Sequence, residues 1–368
     1  MHKRITIKVG SNVLTRQDGM PDEYRISHIA EQIARLKKDK GADILLVSSG
    51  AVASGRSIIQ PAHKQDAVSN RQLWASVGQI RLINLYATFF SGHGLVCSQV
   101  LATKEDFRDR RHFLNMRNCL GTLLENHVVP VINENDAVSV NELMFTDNDE
   151  LSGLITNMMD SDILIILSNV DGLYDGDPKT PGTKVITRIE DGIQSAPKII
   201  SPQKSQFGRG GMLTKFSMAR KIARSGIPVR LANGTKDNIL IDLIENPEQV
   251  EHTYFVPSRK KSSVKRWLAH ADSNTKGIIY INEGACLSLF SNKATSILPV
   301  GVTGVKGHFM KGDIVTILDK DNNRIGVGKS EYNSETALRK AGEKNARPIV
   351  HYDYLSLNYD QDTIKYMP

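Results

Sequence analysis

Cysteine is scarce in this chain, with three in 368 residues. Cys97, Cys119 and Cys286 are odd in number and far apart, which excludes a disulfide framework and the usual metal-ligand spacings. All three are expected to be small core residues. Long apolar runs are missing as well: no stretch approaches the ~18 consecutive apolar residues of a membrane span. The opening MHKRITIKVG enters a strand pattern without the apolar segment and cleavage site of a signal peptide. A soluble, cytoplasmic protein with no membrane partner is expected. Repeats at solenoid periods and low-complexity tracts are also lacking. Through most of the chain so is charge of one sign, with 30 Lys and Arg against 29 Asp and Glu in residues 1–256, but 17 against 11 in residues 257–368. Nearly all of the net charge of +7 therefore lies in the last third. Such a local excess marks either an RNA-facing or other anion-facing surface or ordinary solvated decoration.

What is present is ordinary globular composition, 40% apolar and 24% charged, at a length that predicts two domains. Residues 1–256 alternate short apolar runs (ITIKV, DILLVSS, VVPVIN, DILIILS, IPVRLA) with helical periodicity, the pattern of parallel strands joined by crossover helices. Ile26, Ile29, Ile33 and Leu36 fall at helical spacing before a Gly41 cap; further helices are expected within Asn70–Phe90 and around Leu114–His127. Near Pro257 a basic stretch, PSRKKSSVKRW, breaks that rhythm. The expected domains are 1–256, a basic linker 257–275, and a small barrel-like β domain 276–368 with the runs KGIIYIN, DIVTILD and RIGVGKS and two short helices.

In parallel α/β sheets ligands sit beyond the carboxyl ends of the strands, so those ends carry the functional argument. IKVGSNVL offers Lys8 as a point charge beside Gly10, although a mid-strand lysine can equally point to solvent. VSSGA brings Ser48 and Ser49 to a helix N-terminus, which suits an anion or only a serine cap. VINENDAV supplies Asn133, Glu134 and Asp136, fitted to an ammonium group or to an Asx-rich turn. In DNDELS, capping explains one or two of Asp147, Asn148 and Asp149 but not all three; Asp149 is the candidate for holding two lysines in position. SNVDGLYDGD is rich in aspartate yet lacks the calcium-loop frame and its closing Glu. GRGGMLTK, Gly208–Lys215, is not a Walker loop, since Thr214 stands where that signature needs glycine. Its glycines precede a helix that Thr214 is expected to cap and that ends at Gly226, so backbone N–H groups and Lys215 can hold phosphate.

In order, IKVGS, VSSGA, VINENDAV, DNDELS, DGLY and GGMLTK resemble the amino acid kinase superfamily, and within it the glutamate 5-kinase family, from about Lys3 to Gly234. Residues from about Lys276 to Tyr354 are similar to a PUA domain, through the short strands, INEGA and SILPVGV. The resemblance implies a three-layer sandwich around a mainly parallel sheet, followed by a β-rich PUA-like barrel. It implies transfer of the γ-phosphoryl group of ATP, with Mg²⁺, to the side-chain carboxylate of L-glutamate, the first step of proline biosynthesis. Lys8 and Lys215 would contact the ATP phosphates, with Asp149 orienting both. Ser168, Asn169, Arg209, Gly210, Gly211, Met212, Leu213 and Thr214 would complete the ATP site; Ser49, Asp136 and Asn148 would bind glutamate, and no side chain is assigned as a metal ligand. Proline as feedback inhibitor and a homo-oligomer, dimer or tetramer, are implied too. Phosphoryl transfer to an ionised carboxylate needs alignment and charge neutralisation but no general base, in keeping with the lack of a base-like His at the strand ends. Ser168–Asn169 stands where relatives have Thr-Asp, which removes a carboxylate from the nucleotide side, and Arg209 replaces a small or hydroxyl residue. The alternatives are a sibling kinase for aspartate, N-acetylglutamate, carbamate or UMP, or an RNA-binding PUA protein with a vestigial kinase fold.

Overall fold

The computed structural model describes residues 2–64, 66–108, 110–138, 148–177, 180–190, 211–258, 275–290, 295–344 and 346–357. The chain divides into two compact units, Met1–Lys260 and Lys261–Pro368.

The first unit is built on an eight-stranded sheet. Its strands are β1 (Arg4–Val9), β2 (Asp43–Ser48), β3 (Cys97–Ala102), β4 (Val129–Glu134), β5 (Ile163–Ser168), β6 (Arg188–Ile189), β7 (Val229–Asn233) and β8 (Thr253–Phe255), in the order β3-β4-β2-β1-β5-β7-β8-β6. The first six in that order are parallel, and β8 runs antiparallel to β7. β1, β2, β4 and β5 are buried on both faces, as continuous Ile/Val/Leu runs in parallel sheets must be. Absent from the expected strands were β3 and the short β6 and β8: CSQVLA is an edge strand, partly exposed as far as the buried Ala102, and has no continuous apolar run to announce it.

Helices cover both faces. They are α1 (Ser11–Leu14), α2 (Glu23–Lys40), α3 (Ala51–Arg56), α4 (Ala67–Gly92), α5 (Lys104–Arg108), α6 (Arg110–Glu125), α7 (Asn148–Met158), α8 (Met212–Arg224) and α9 (Ile239–Glu245). One core joins Ile5, Ile7, Ile44, Leu46 and Val131 to α2, α4 and α9; on the other face Leu45, Val47 and Ile132 pack on α6 and α7, and Leu164, Ile166 and Leu231 on α8. These alternating sets follow from the two-residue period of a strand. α2 ends at Gly41 in the left-handed conformation, as its sequence indicates. α4 is longer than expected, because the Asp66 side chain accepts from the N–H groups of Val68 and Ser69 and starts the helix early. α6 likewise begins at Arg110 and ends at Glu125, shifted towards the N-terminus from the expected Leu114–His127. α3 and α4 pack backbone to backbone at Gly78, where a Cβ would overlap the Ala51 carbonyl.

The second unit has strands β9 (Gly277–Ile281), β10 (Val302–Gly307), β11 (Ile314–Leu318), β12 (Arg324–Ser330) and β13 (Val350–Leu357), ordered β10-β9-β11-β12-β13, with helices α10 (Glu283–Phe290) and α11 (Ser334–Lys340). Its core includes Cys286, Phe309 and Ile317. The other two cysteines correct the expectation: Cys97 is half-buried on edge strand β3, and Cys119 is exposed on α6.

Candidate active site

The carboxyl ends of β1, β2, β4 and β5 meet the N-terminus of α7. Lys8, one residue short of the end of β1, is almost wholly buried, which disposes of the solvent-facing reading. Its Nζ lies 2.6 Å from Asp149 Oδ1, and Lys215 Nζ, from the first turns of α8, lies 2.8 Å from Asp149 Oδ2. One carboxylate, with no exposed surface, thus holds two ammonium groups from opposite sides. Burial works against the ionised form, but Lys8 and Lys215 outweigh it and hold the Asp149 carboxyl far below the usual carboxylate range. Each Asp149 oxygen thus faces a lysine ammonium group.

α8 begins earlier than expected. Gly211 is its N-cap, and Thr214 lies in the first turn with its hydroxyl donating to the Gly211 carbonyl, so the expected Thr214 cap is not formed. A glycine in extended conformation makes that entry, and with no side-chain cap the N–H groups of the first turn, Met212 and Leu213 among them, have the geometry that suits an anion. Arg209 and Gly210, expected in the same phosphate loop, lie outside the described residues, as does Asp147.

On the far side of Asp149, Asn148 Nδ2 faces Ser49 Oγ at 3.0 Å, Asn133 Oδ1 at 2.9 Å and the Ser48 carbonyl at 3.3 Å. Gly50, at φ +108°, makes the turn from β2 into α3 that exposes Ser49. Asp136 is gripped by Arg71, whose Nε and Nη2 donate to Asp136 Oδ1 at 2.9 and 2.7 Å. Asn148 is thereby joined to Ser49, 99 positions away in sequence, and to Asn133 near the end of β4, while Asp136, two residues beyond β4, is held by Arg71 of α4.

The sequence reading missed what α4 contributes. Arg71, Gln79 and Tyr86 lie on its inner face and hold three residues at the ends of two strands: Asp136 just past β4, Asn133 near the end of β4 (Nδ2 to Gln79 Oε1, 2.9 Å) and Ser48 at the end of β2 (Oγ to Tyr86 hydroxyl, 2.9 Å). Burial pushes the Tyr86 pKa well above its ordinary value, so this hydroxyl stays neutral. The available signal was their spacing of eight and seven residues, which puts polar groups on one helical face.

At the end of β5, Ser168 is buried, and Asn169 is exposed. A carboxylate, Asp171, follows two residues on. Asp171 takes an ion contact from Lys236 at 2.5 Å and hydrogen bonds from Tyr174 and Asn233, beyond the neighbouring end of β7. Partial burial opposes its ionisation, but these partners hold its carboxyl below the ordinary value. Among the described residues no group of three or more His, Cys, Asp or Glu side chains could hold a metal ion.

Two lysines locked on one buried carboxylate, beside a helix N-terminus and at the carboxyl edge of a parallel sheet, suit the neutralisation of a transferred phosphoryl group; the class is a phosphotransferase. The chain belongs to the amino acid kinase family, whose model matches residues 3–233. A PUA domain model matches residues 277–352. Among curated relatives, the glutamate 5-kinase of Bacteroides thetaiotaomicron is 54% identical over 96% of this chain and 98% of its own length, and that of Chlorobaculum tepidum is 47% identical over 97% and 98%. A crystal structure of an isopentenyl phosphate kinase substrate complex has the same fold, with a TM-score of 0.50 at 18% identity over 68% of this chain and 99% of that one.

Proposed function

We propose that the protein transfers the γ-phosphoryl group of ATP to the side-chain carboxylate of L-glutamate, giving L-glutamyl 5-phosphate, the opening step of proline biosynthesis. The glutamate 5-kinases that match nearly end to end support this acceptor over aspartate, N-acetylglutamate, carbamate or UMP. The observation that carries the chemistry is the Lys8–Asp149–Lys215 cluster. In this reading Gly211, Met212 and Leu213 at the head of α8, with Ser168 and Asn169, cradle the nucleotide. Lys8 and Lys215 neutralise charge on the moving group. Asp149 fixes both ammonium groups before ATP arrives, so little reorganisation is left for the transition state. Ser49, Asn148 and Asp136 seat the amino acid, Asp136 serving its ammonium group. The acceptor carboxylate, ionised at neutral pH, is the nucleophile. The magnesium ion enters as part of the MgATP substrate, where the phosphates and water supply most of its ligands.

Proline at the glutamate site as feedback inhibitor, a homo-oligomer and a cytoplasmic location belong to the same reading. No described helix is long and apolar enough to cross a membrane. The test is to supply ATP, Mg²⁺, hydroxylamine and candidate acids and to measure hydroxamate. Formation with glutamate supports the proposal, and formation with aspartate but not glutamate ends it.

A second activity, RNA binding by the PUA domain, is favoured by the basic surplus after residue 256 and by a row of rings on β13. His351 lies 4.5 Å from Tyr352, and Lys329 stands 4.1 Å over the Tyr354 ring. Salt-dependent binding of the full chain to RNA would bear this out; none at low salt would leave the domain a structural or regulatory part.

A further inference from the structure

The amide groups around Asn133 have fixed orientations. The Glu134 backbone N–H can only donate, and it donates to Asn133 Oδ1 at 2.9 Å, so the other end of that amide is Nδ2. Nδ2 in turn donates to Gln79, which identifies the Gln79 atom facing it as Oε1. On the other side the Ser48 carbonyl can only accept, so the Asn148 atom facing it is Nδ2. Two atoms are then left over, Gln79 Nε2 and Asn148 Oδ1. Both are buried, and neither has a hydrogen-bond partner among the described residues. Gln79 itself is more than nine-tenths buried. They are opposite in kind, one a donor and one an acceptor, and their amides hang from the two ends of the single Asn133 side chain.

Buried polar groups without partners are uncommon, and each such atom calls for a cause. An α-amino acid carries an acceptor and a donor on one carbon, its carboxylate and its ammonium group. We propose that Gln79 is a binding residue of the acceptor site, its Nε2 donating to the α-carboxylate of the amino acid while Asn148 Oδ1 accepts from the α-ammonium group. This rests on the reading of the protein as an amino acid kinase that uses glutamate. It extends the site onto α4. Asn133 has a double part: it orients the Gln79 donor and the Asn148 acceptor through one amide.

The test compares Gln79→Glu, which keeps an oxygen to accept from Asn133 but loses the donor, with Gln79→Leu, which loses both. Michaelis constants for glutamate and for ATP are measured by hydroxamate formation, and thermal unfolding establishes that each variant is folded. A hydrogen bond to a charged group is lost in both, so KM for glutamate rises about tenfold or more while KM for ATP and kcat stay within about twofold. Gln79→Glu is the worse of the two, because it sets a carboxylate against the α-carboxylate. As competitive inhibitors, 4-aminobutyrate, which lacks the α-carboxylate, loses little affinity on substitution, and glutarate, which keeps a second carboxylate but lacks the ammonium group, loses as much as glutamate. A wild-type KM for glutamate in Gln79→Glu, with a raised one in Gln79→Leu, would show that Gln79 only positions Asn133 and would overturn the proposal. Unchanged values in both would overturn it also. Should the wild-type enzyme prove to use a different acid, glutamate as substrate falls, and the same variants measured with the accepted acid still decide the role of Gln79.

Discussion

Replacing Asp149 by Asn keeps the shape of the side chain and removes its charge. Two ammonium groups, 2.6 and 2.8 Å from its oxygens, then face a neutral amide. Removing one partner of a buried ion pair costs about 3–5 kcal/mol, chiefly through the charge left behind. Here the lower end applies. The Lys215 side chain is 12% exposed and can swing towards water, whereas Lys8, at 4%, cannot. A loss of about 3 kcal/mol lowers the unfolding midpoint by roughly 6–12 °C for a unit of this size. The same change frees the lysines from the geometry proposed to meet the ATP phosphates, which should lower kcat by about 10²-fold or more. Thermal unfolding and hydroxamate turnover at neutral pH measure the two effects on one preparation. A midpoint within about 2 °C of wild type together with turnover within about threefold would refute the idea that Asp149 organises the cluster.

Lys215→Ala removes a charge expected to act on the transition state, so kcat should fall about 10²-fold in a protein that still folds, with Lys8 left to balance Asp149 and a lowered unfolding midpoint; turnover within a few fold of wild type would contradict the role. Arg71→Met releases the Asp136 carboxylate from its clamp, and KM for glutamate should rise several-fold with KM for ATP unmoved; a uniform loss of both would mean that α4 has merely been displaced. Acid stability carries a third signature. The folded Asp149 carboxyl titrates below its unfolded value of about 3.9, so its contribution is complete above that pH and is lost as pH falls towards the folded value. Stability of Asp149→Asn should lack this slope, and parallel wild-type and variant curves in that window would argue against it.

The buried strands were legible because parallel sheets bury both faces, so ITIKV and DILIILS read as continuous apolar runs. β3 was not, since an edge strand needs no such run. Lys8, Asp149 and Lys215 could be named one by one from strand ends and a glycine-rich turn. That Asp149 would hold both lysines was expected too, although 141 positions separate Lys8 from Asp149 and 66 separate Asp149 from Lys215; the structure adds that one oxygen of a fully buried Asp149 faces each ammonium group. The role of the polar face of α4 was missed, although the spacing of its residues was there to be read. Arg71, Gln79 and Tyr86 are scattered through a long and mainly apolar helix, and their meaning lies in partners on β2, β4 and the turn after it. Thr214 misled because a hydroxyl three residues past a glycine suits a cap and a first-turn position equally; the backbone of Gly211 decided it.

The central claim is that a glutamate side-chain carboxylate attacks the γ-phosphorus of ATP at the Lys8–Asp149–Lys215 cluster. The direct measurement uses glutamate labelled with ¹⁸O in that carboxylate, ATP, Mg²⁺ and hydroxylamine, followed by mass spectrometry of the phosphate released. Attack by the carboxylate leaves one ¹⁸O in the bridge to phosphorus, and hydroxylamine at the acyl carbon then expels phosphate carrying that atom. One ¹⁸O per phosphate, matched by hydroxamate, is the predicted result. Phosphate without the label would mean that water or another group had taken the phosphoryl, and would contradict the account.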